Sequence, residues 1–544
     1  MDAQRYDADV LIVGAGPVGL ALATELTLRG HTVRIVEKND RTGVQPRAKT
    51  TNIRTMAHMR RWGLASEMRK RSPLSADFPR DVIFRTGLFD APIYTFRDAF
   101  CATPKSYDAF PEHAEFIPQY VVESVLADHV AAEPKADLTF SSQLTGFVQD
   151  ETGVTAQIRN VASGDPQDIR TRFLVGADGG RSFVRETLGI AMNGDRNLVS
   201  CATLILKIPG LNDDPDLKRA LFHWILDPKA PSFIGPMDRG DLWYWSKVAD
   251  REVTTETLLG YVHRAIGRDY PVEFVTRDDW IVHSLIADHY RDGRVFLAGD
   301  ACHLHSPFGG HGMNQGIGDA VDLGWKLSAA LSGWAGDGLL DSYTTERQQA
   351  HRAIVESATK NVASLSDDFA NPDLLEDGPE GEGARAKCAG AIERSKTPEF
   401  HSVGLVLGTG YTGSPAIAAE PGPDRPAEVS RYVPSARPGY LAPHAWVDQQ
   451  TSLYDLFSTG FTLLRLAEPQ DEAESRAVNA AREQGIPLTI VDPGLADLKQ
   501  LYAAQYALVR PDQHIGWRGD VLPQPETLLA VMTGRAENSL RRTA

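Results

Sequence analysis

Apolar and polar positions are most sharply ordered near the start of the chain. Val10-Leu11-Ile12-Val13 is an unbroken apolar run, the pattern of a parallel strand buried on both faces. It leads into Gly14-Ala15-Gly16-Pro17-Val18-Gly19. Leu20 to Arg29 then reads as a helix closed by Gly30, and Thr32 to Val36 as a second apolar strand ended by Glu37. This predicts a β-α-β unit with a glycine-rich first turn. Farther on, Val122, Val125, Leu126 and Val130 recur at three and four within a helix predicted over Gln119 to Ala131. Two more apolar strands, Phe173-Leu174-Val175 and Arg294 to Ala298, run into Gly176-Ala177-Asp178-Gly179-Gly180 and Gly299-Asp300. A long helix is predicted from about Gly316, carrying Val321, Leu323, Trp325, Leu327 and Leu331.

The pattern changes between residues 200 and 290. Cys201 to Ile208, Leu221 to Leu226, Ser232 to Ile234 and Leu242 to Lys247 predict an antiparallel sheet broken by Pro, Gly and Asp turns. Its aromatic residues, Phe222, Trp224, Phe233, Trp243, Tyr244 and Trp245, are candidates for substrate contact. Alternation puts Trp243 and Trp245 on one face, and Leu242, Tyr244 and Ser246 on the other. One face is expected to line a cavity and the other to pack outward; alternation does not say which. Residues 371–384, rich in Asp, Glu, Gly and Pro, predict an exposed loop or linker. Beyond residue 400, alternating strand-like and helix-like pieces predict a separate small α/β unit. The implied division is 1–80 with 110–190 and 290–350, then 81–109 with 191–289, then 351–399 as helical segment and linker, then 400–544.

Composition narrows the class. Apolar residues are 42% and charged residues 24% of 544, which is globular, and 56 Lys+Arg against 72 Asp+Glu gives a net charge of −16. So acidic a chain, without a dense basic run, disfavours nucleic acid and anionic membranes as partners. No basic-flanked signal sequence and no uncharged run near the roughly 20 residues of a membrane span is present, so a cytoplasmic protein is expected. Cys101, Cys201, Cys302 and Cys388 form no C-x-x-C pair, which argues against dithiol chemistry or a zinc ribbon.

Gly14, Gly16 and Gly19 have the spacing of a dinucleotide turn: the first for tightness, the second for close approach of a pyrophosphate, the third for helix–strand packing. The helix N-terminus presents free N–H groups to a diphosphate, and Glu37 is placed to accept from adenosine ribose hydroxyls. This turn alone does not choose NAD over FAD. The two later segments, Asp178-Gly179 and Gly299-Asp300, each put a carboxylate at the end of a strand. An Asp there can accept from a ribityl hydroxyl, which FAD has and NAD lacks, so together they favour FAD. The glycine-rich loop before the long helix, Pro307 to Asn314, suits the pyrimidine edge of a flavin. His303, His305 and His311 lie close together without an acidic ligand pattern, so no metal is expected.

With these motifs the chain resembles the class A FAD-dependent aromatic hydroxylases. It is similar to the p-hydroxybenzoate-hydroxylase-like group, and most to its phenol-hydroxylase-like and polyketide-tailoring members. The resemblance implies an α/β fold with a Rossmann-like FAD domain of glutathione-reductase type, an α+β substrate domain with an antiparallel sheet, and a C-terminal thioredoxin-like domain. It assigns Gly14, Gly16, Gly19 and Glu37 to the fingerprint, Asp178, Gly179 and Arg181 to the Asp-Gly motif, and Gly299 and Asp300 to the Gly-Asp motif. Pro307, Gly310, Gly312, Met313 and Asn314 fall beside the flavin; Arg47 and Gln119 match the family residues that touch FAD, with Glu123 and Leu126 on the helix of Gln119. Cys302, where Ala is common, reads as packing. Arg510-Pro511-Asp512 with Trp517 fits the usual ending, and no cysteine follows Cys388, so packing or assembly is the expected role of the last domain.

The implied reaction reduces FAD with NADPH or NADH, adds O₂ to form a flavin C4a-hydroperoxide, and hydroxylates an electron-rich aromatic ring. The partners are then a small aromatic substrate, O₂ and NAD(P)H, in a monomer or homodimer. His223 and His283 could each be a phenol base or a satisfied polar residue, and the sequence assigns no catalytic base. Alternatives are a tailoring enzyme that hydroxylates a polycyclic natural product or inserts oxygen beside a carbonyl, and a non-catalytic interaction protein on the same scaffold.

Overall fold

The computed structural model describes residues 6–40, 47–238, 240–363, 367–422 and 428–536. The first sheet runs in the order Arg291–Asp292, Val295–Leu297, Pro166–Gly176, Ala8–Val13, Val33–Val36, Ala136–Thr139, with the hairpin Ser142–Gln149 and Val154–Asn160 attached to Pro166–Gly176. Its centre is parallel, with Val10 opposite both Phe173 and Val33, and Leu174 opposite Val295. Val10, Leu11 and Ile12 are wholly buried because helices Pro17–Leu28, Gln119–Ala132 and Gly312–Leu331 share their core. That placement is why the run carries no polar residue.

The second sheet has eight strands: His303–Leu304, Glu273–Ala287, Met192–Lys207, Leu242–Val248, Ser232–Pro236, Phe222–Ile225, Val82–Arg85 and Tyr94–Phe96. Every pairing is antiparallel except that of Phe222–Ile225 with Val82–Arg85. Strand Glu273–Ala287 and helix Thr255–Ile266 were not legible in the residue pattern. The long strand mixes Arg277, Asp278 and Asp279 with apolar residues because much of it lies half-exposed. His303–Leu304 joins this sheet directly after Gly299-Asp300, which ties the two sheets together at one point.

One prediction fails. The exposed loop or linker expected over 371–384 is instead the short turn Pro372–Leu375 followed by the start of a helix of 23 residues, Gly378–Phe400. Asp377 stands at its N-cap and Pro379 in its first turn, where a proline lacks no needed donor. Its polar composition reflects a mostly solvent-facing helix, while Cys388, Ala391, Ile392 and Phe400 pack on Phe84, Phe96 and Trp224.

The C-terminal unit is a four-stranded sheet, Leu488–Val491, Phe461–Arg465, Tyr506–Val509, Ile515–Gly519, parallel at the first pairing and antiparallel at the others. A buried charge cluster fixes it to helices Gly312–Leu331 and Asp337–Ala363. Arg510 donates to Glu346 at 2.8 and 2.7 Å, to Asp322 at 3.2 Å and to Asp512 at 2.8 Å. Lys326 donates to Asp322 at 2.8 Å and Glu346 at 2.7 Å. Among the described residues no helix is long and apolar enough to cross a membrane.

Candidate active site

The three fingerprint glycines do three different jobs. Gly14 has φ 109°, and a Cβ on it would stand 2.4 Å from the Ala177 carbonyl, so the turn and the end of the neighbouring strand both demand glycine. A Cβ on Gly19 would meet the Gly14 carbonyl at 2.0 Å. A Cβ on Gly16 would meet nothing within 4 Å. Gly16 therefore borders open space at the start of helix Pro17–Leu28, whose N-cap carries no side-chain hydrogen bond. Free N–H groups facing an open cradle fit a pyrophosphate. Glu37 lies beside it: its carboxylate accepts from Ala15 N at 3.0 Å and from Asn39 N at 2.9 Å.

The Gly299-Asp300 turn meets the same helix start. Gly299 has φ 64°, and Cβ atoms on Gly299 and Gly316 would collide with Val18 at 2.8 and 2.4 Å. Asp319 holds this turn from below, accepting from Gly299 N at 3.0 Å and pairing with His303 at 3.1 Å and Arg347 at 2.7 Å. Burial opposes ionisation of Asp319, but His351 and Arg347 outweigh it and hold its carboxyl well below the usual range. Asp300 itself is exposed to the cleft. Desolvation there raises its carboxyl, while His303 and Arg47 pull it back down. The Arg47 charge is felt by Glu123 as well, and Gln119 links the two segments, donating to Glu123 at 2.8 Å and accepting from Ala48 N at 3.4 Å.

The loop residues divide into shapers and liners. Asn314 accepts from Asn52 N at 2.9 Å and donates to the carbonyls of Thr50 at 2.8 Å and Gly310 at 2.7 Å, so its side chain staples the loop to strand Thr50–Thr51. Gly310, at φ 69°, packs on Thr50, where a Cβ would be 2.7 Å away; Met313 is buried in the core. Pro307 is exposed, and the Gly312 position has free space to 3.8 Å. Asp178 braces the start of the short helix Phe183–Thr187, whose N-cap is Ser182, accepting from Ser182 at 2.5 Å and Val184 N at 3.1 Å; Gly179 and exposed Arg181 follow it. Asp319, Thr50 and Val18 were missed by sequence reasoning. Only Asp319 left a signal, an acid on the buried face of an apolar helix.

The second sheet turns one face to this loop. Trp224 lies 6.0 Å from Phe308, and Phe222 lies 6.1 Å from Phe116. Phe233 and Tyr244 share that face. Lys396 of the 378–400 helix, paired with Glu399 at 3.0 Å, closes it, with its amine 5.2 Å from Trp224 and 5.6 Å from Phe308. Trp243 and Trp245 are on the far face, packed with Leu258, Val262 and Ile266 of helix Thr255–Ile266; they belong to the core and not to the cavity. His223 is on the far face too, opposite Ile234. Burial there strongly opposes its protonation, and it faces away from the loop, so it is a poor proton acceptor for a substrate. His283 accepts from Asn197 N at 3.2 Å, a structural role at a strand irregularity. A cavity of about 540 Å³ beside Arg29, Trp325 and Trp334 lies at the other end of the first helix, away from the glycine turn.

The cleft bordered by Gly16, Glu37 and Asp300 fits an extended dinucleotide, and comparison with known proteins agrees. A family description, FAD binding domain, matches residues 7–358, and a second, aromatic-ring hydroxylase, C-terminal, matches residues 435–536. A putative polyketide hydroxylase of Streptomyces halstedii is 32% identical over 95% of this chain and 94% of its own length. Among solved structures, chromopyrrolic acid-soaked RebC with bound 7-carboxy-K252c is similar with a TM-score of 0.90 and 34% identity, covering 97% of this chain and 99% of RebC. A ternary complex of aklavinone-11 hydroxylase with FAD and aklavinone gives a TM-score of 0.82 at 29% identity, covering 97% and 99%. An open cradle at a helix start, a cleft carboxylate and an aromatic wall thus occur in a chain that belongs, as an enzyme, to the FAD-dependent aromatic-ring hydroxylases, a family of flavoprotein monooxygenases.

Proposed function

We propose that this enzyme hydroxylates a phenolic, polycyclic aromatic substrate with O₂ and NADPH or NADH. The observation that carries the reading is the wall of Phe222, Trp224, Phe233 and Tyr244 turned toward the glycine-rich loop through the Trp224–Phe308 contact. A broad apolar wall suits a fused ring system better than a single polar ring. The names of the similar proteins, a polyketide hydroxylase and an aklavinone hydroxylase, support that class.

Bound FAD supplies the hydride-accepting and oxygen-activating chemistry. The chain does the rest. Gly16 and the helix N-terminus would hold the pyrophosphate, Glu37 the adenosine ribose, and Asp300 the ribityl chain. Asn314 fixes the glycine-rich loop, whose backbone N–H groups would be available to the flavin. Arg47, whose charge is felt by Asp300 and Glu123, would steady the bound cofactor. The aromatic wall orients the substrate ring and excludes water from the reacting face. In the C-terminal unit, the order of a parallel β-α-β followed by two antiparallel strands and a helix supports a thioredoxin-like reading. With no cysteine after Cys388, its role is docking through Arg510 and not thiol exchange.

A panel of monocyclic and polycyclic phenols tests the assignment. Polycyclic members should stimulate NADPH or NADH oxidation and give hydroxylated product. Stimulation confined to monocyclic phenols would overturn the substrate class.

A further inference from the structure

Lys49 is a cation without an anion. It precedes Thr50, the residue on which Gly310 of the loop packs, so it stands at the edge of the flavin site. Its amine lies over the Tyr244 ring at 3.4 Å from the centroid, on the sheet face that forms the aromatic wall. Among the described residues no carboxylate and no carbonyl bonds that amine. A ring face attracts an ammonium but does not neutralise it. Two buried lysines of this chain are paired with carboxylates, Lys326 with Asp322 and Glu346, and Lys396 with Glu399.

The groups that face Lys49 do not supply the missing charge. From the sheet comes Tyr244, whose hydroxyl burial keeps protonated. Tyr120 of helix Gln119–Ala132 packs on the same Tyr244 cluster, and burial and Asp238 keep its hydroxyl protonated as well. Glu115, across the two-stranded ladder beside Thr51, is already taken by Arg69 and His113. Burial alone brings the Lys49 amine down to about 7, so near neutral pH it is divided between amine and ammonium.

We propose that Lys49 accepts the phenolic proton of the substrate and holds the resulting phenolate beside the flavin loop. This rests on the hydroxylase reading above. The phenol O–H breaks and an N–H bond forms on Lys49; no electrons leave either partner, and the products are an ammonium and a phenolate in contact. Each then supplies the counter-ion the other lacks, and the ionised ring is richer in electrons for attack by an electrophilic oxygen. The nearby histidines are less suited to the task. Burial holds His305 at about 3 and His311 at about 4, far below a phenol, whereas an amine near 7 is poised for proton exchange at neutral pH.

The test uses FAD-loaded enzyme and hydroxyanthraquinones, whose colour reports ionisation, in difference spectra across a pH series. In the wild type the bound probe should ionise at least about tenfold more readily than in solution, a shift of one pH unit. Lys49→Met should retain FAD but bind the probe in its neutral form, with ionisation returned to the solution value and kcat reduced. Lys49→Arg should still bind the anion but lose the inflection near neutral pH, because guanidinium takes no proton. Unshifted ionisation in a wild type that nevertheless hydroxylates the probe overturns the role of Lys49 alone. The same shift in wild type and Lys49→Met does so too. A holoenzyme that neither binds nor hydroxylates any member of the panel overturns the hydroxylase reading and this inference together.

Discussion

Replacing Arg510 by methionine removes a wholly buried cation from between three carboxylates. Glu346, Asp322 and Asp512 are its partners at 2.7 to 3.2 Å, and afterwards only Lys326 faces Asp322 and Glu346. Methionine fills much the same volume, so the loss is electrostatic and not a cavity. Breaking a buried ion pair from one side costs about 3–5 kcal/mol, because the remaining charge stays desolvated. Arg510 joins the C-terminal sheet to helices Gly312–Leu331 and Asp337–Ala363, so the cost falls on docking of that unit. An opening equilibrium made easier by this amount is larger by about two to nearly four orders of magnitude. Amide hydrogen exchange in Tyr506–Val509 and Ile515–Gly519 reads it directly, with strand Ala8–Val13 as internal control. A companion Arg510→Met/Glu346→Leu variant should recover part of the loss, since removing both partners relieves the unpaired charge. Exchange of those C-terminal strands changed by less than about tenfold would refute the reasoning that this cluster docks the unit.

Gly16→Val should abolish FAD retention while the apoprotein keeps its wild-type circular dichroism, because the new side chain enters open cleft. Gly14→Ala should lower stability as well, its Cβ meeting Ala177; equal behaviour of the two variants would contradict the division of labour. Trp245→Ala should cost about 3–5 kcal/mol in denaturant unfolding with little change in substrate KM, whereas Tyr244→Leu should raise KM. The reverse outcome would mean the faces are misassigned. Burial, with the Glu346 and Asp512 charges, lifts the Asp322 carboxyl to about 7 against the opposing Lys326 and Arg510. A carboxyl higher in the folded than in the unfolded state takes up a proton on folding, so its favourable contribution is present at low pH and is lost as pH rises through about 7. Asp322→Asn should flatten that decline between pH about 4 and 7 in thermal melts.

What could be read from the residues followed the range of the interactions. The glycine turn is largely local: Gly19 meets Gly14 of the same turn and Gly14 needs its positive φ, so the spacing carried both, whereas the contact of Gly14 with distant Ala177 left no local mark. Alternation in residues 242–248 paired Trp243 with Trp245 correctly, but period two defines faces without saying which meets the loop. That choice is made by helix Thr255–Ile266 on one side and Phe308 on the other, and neither contact leaves a local mark. The 378–400 helix was hidden because Asp-Gly-Pro serves equally as a turn or as a helix start, and few of its residues are apolar. The Arg510-Pro511-Asp512 ending was visible, yet its partners Asp322 and Glu346 lie more than 150 positions away. Lys49 was legible as a residue but not as an unpaired one, since that requires knowing everything around it.

The central claim is that this enzyme transfers one oxygen atom from O₂ to an aromatic ring. Single-turnover reaction of FAD-loaded, NAD(P)H-reduced enzyme with a polycyclic phenol under ¹⁸O₂, followed by mass spectrometry of the organic product, measures that transfer. The account predicts a product heavier by one labelled oxygen atom, in an amount that tracks the flavin oxidised. Hydrogen peroxide in stoichiometric yield with no label in any organic product, across the panel and with FAD still bound, would contradict it and identify an oxidase.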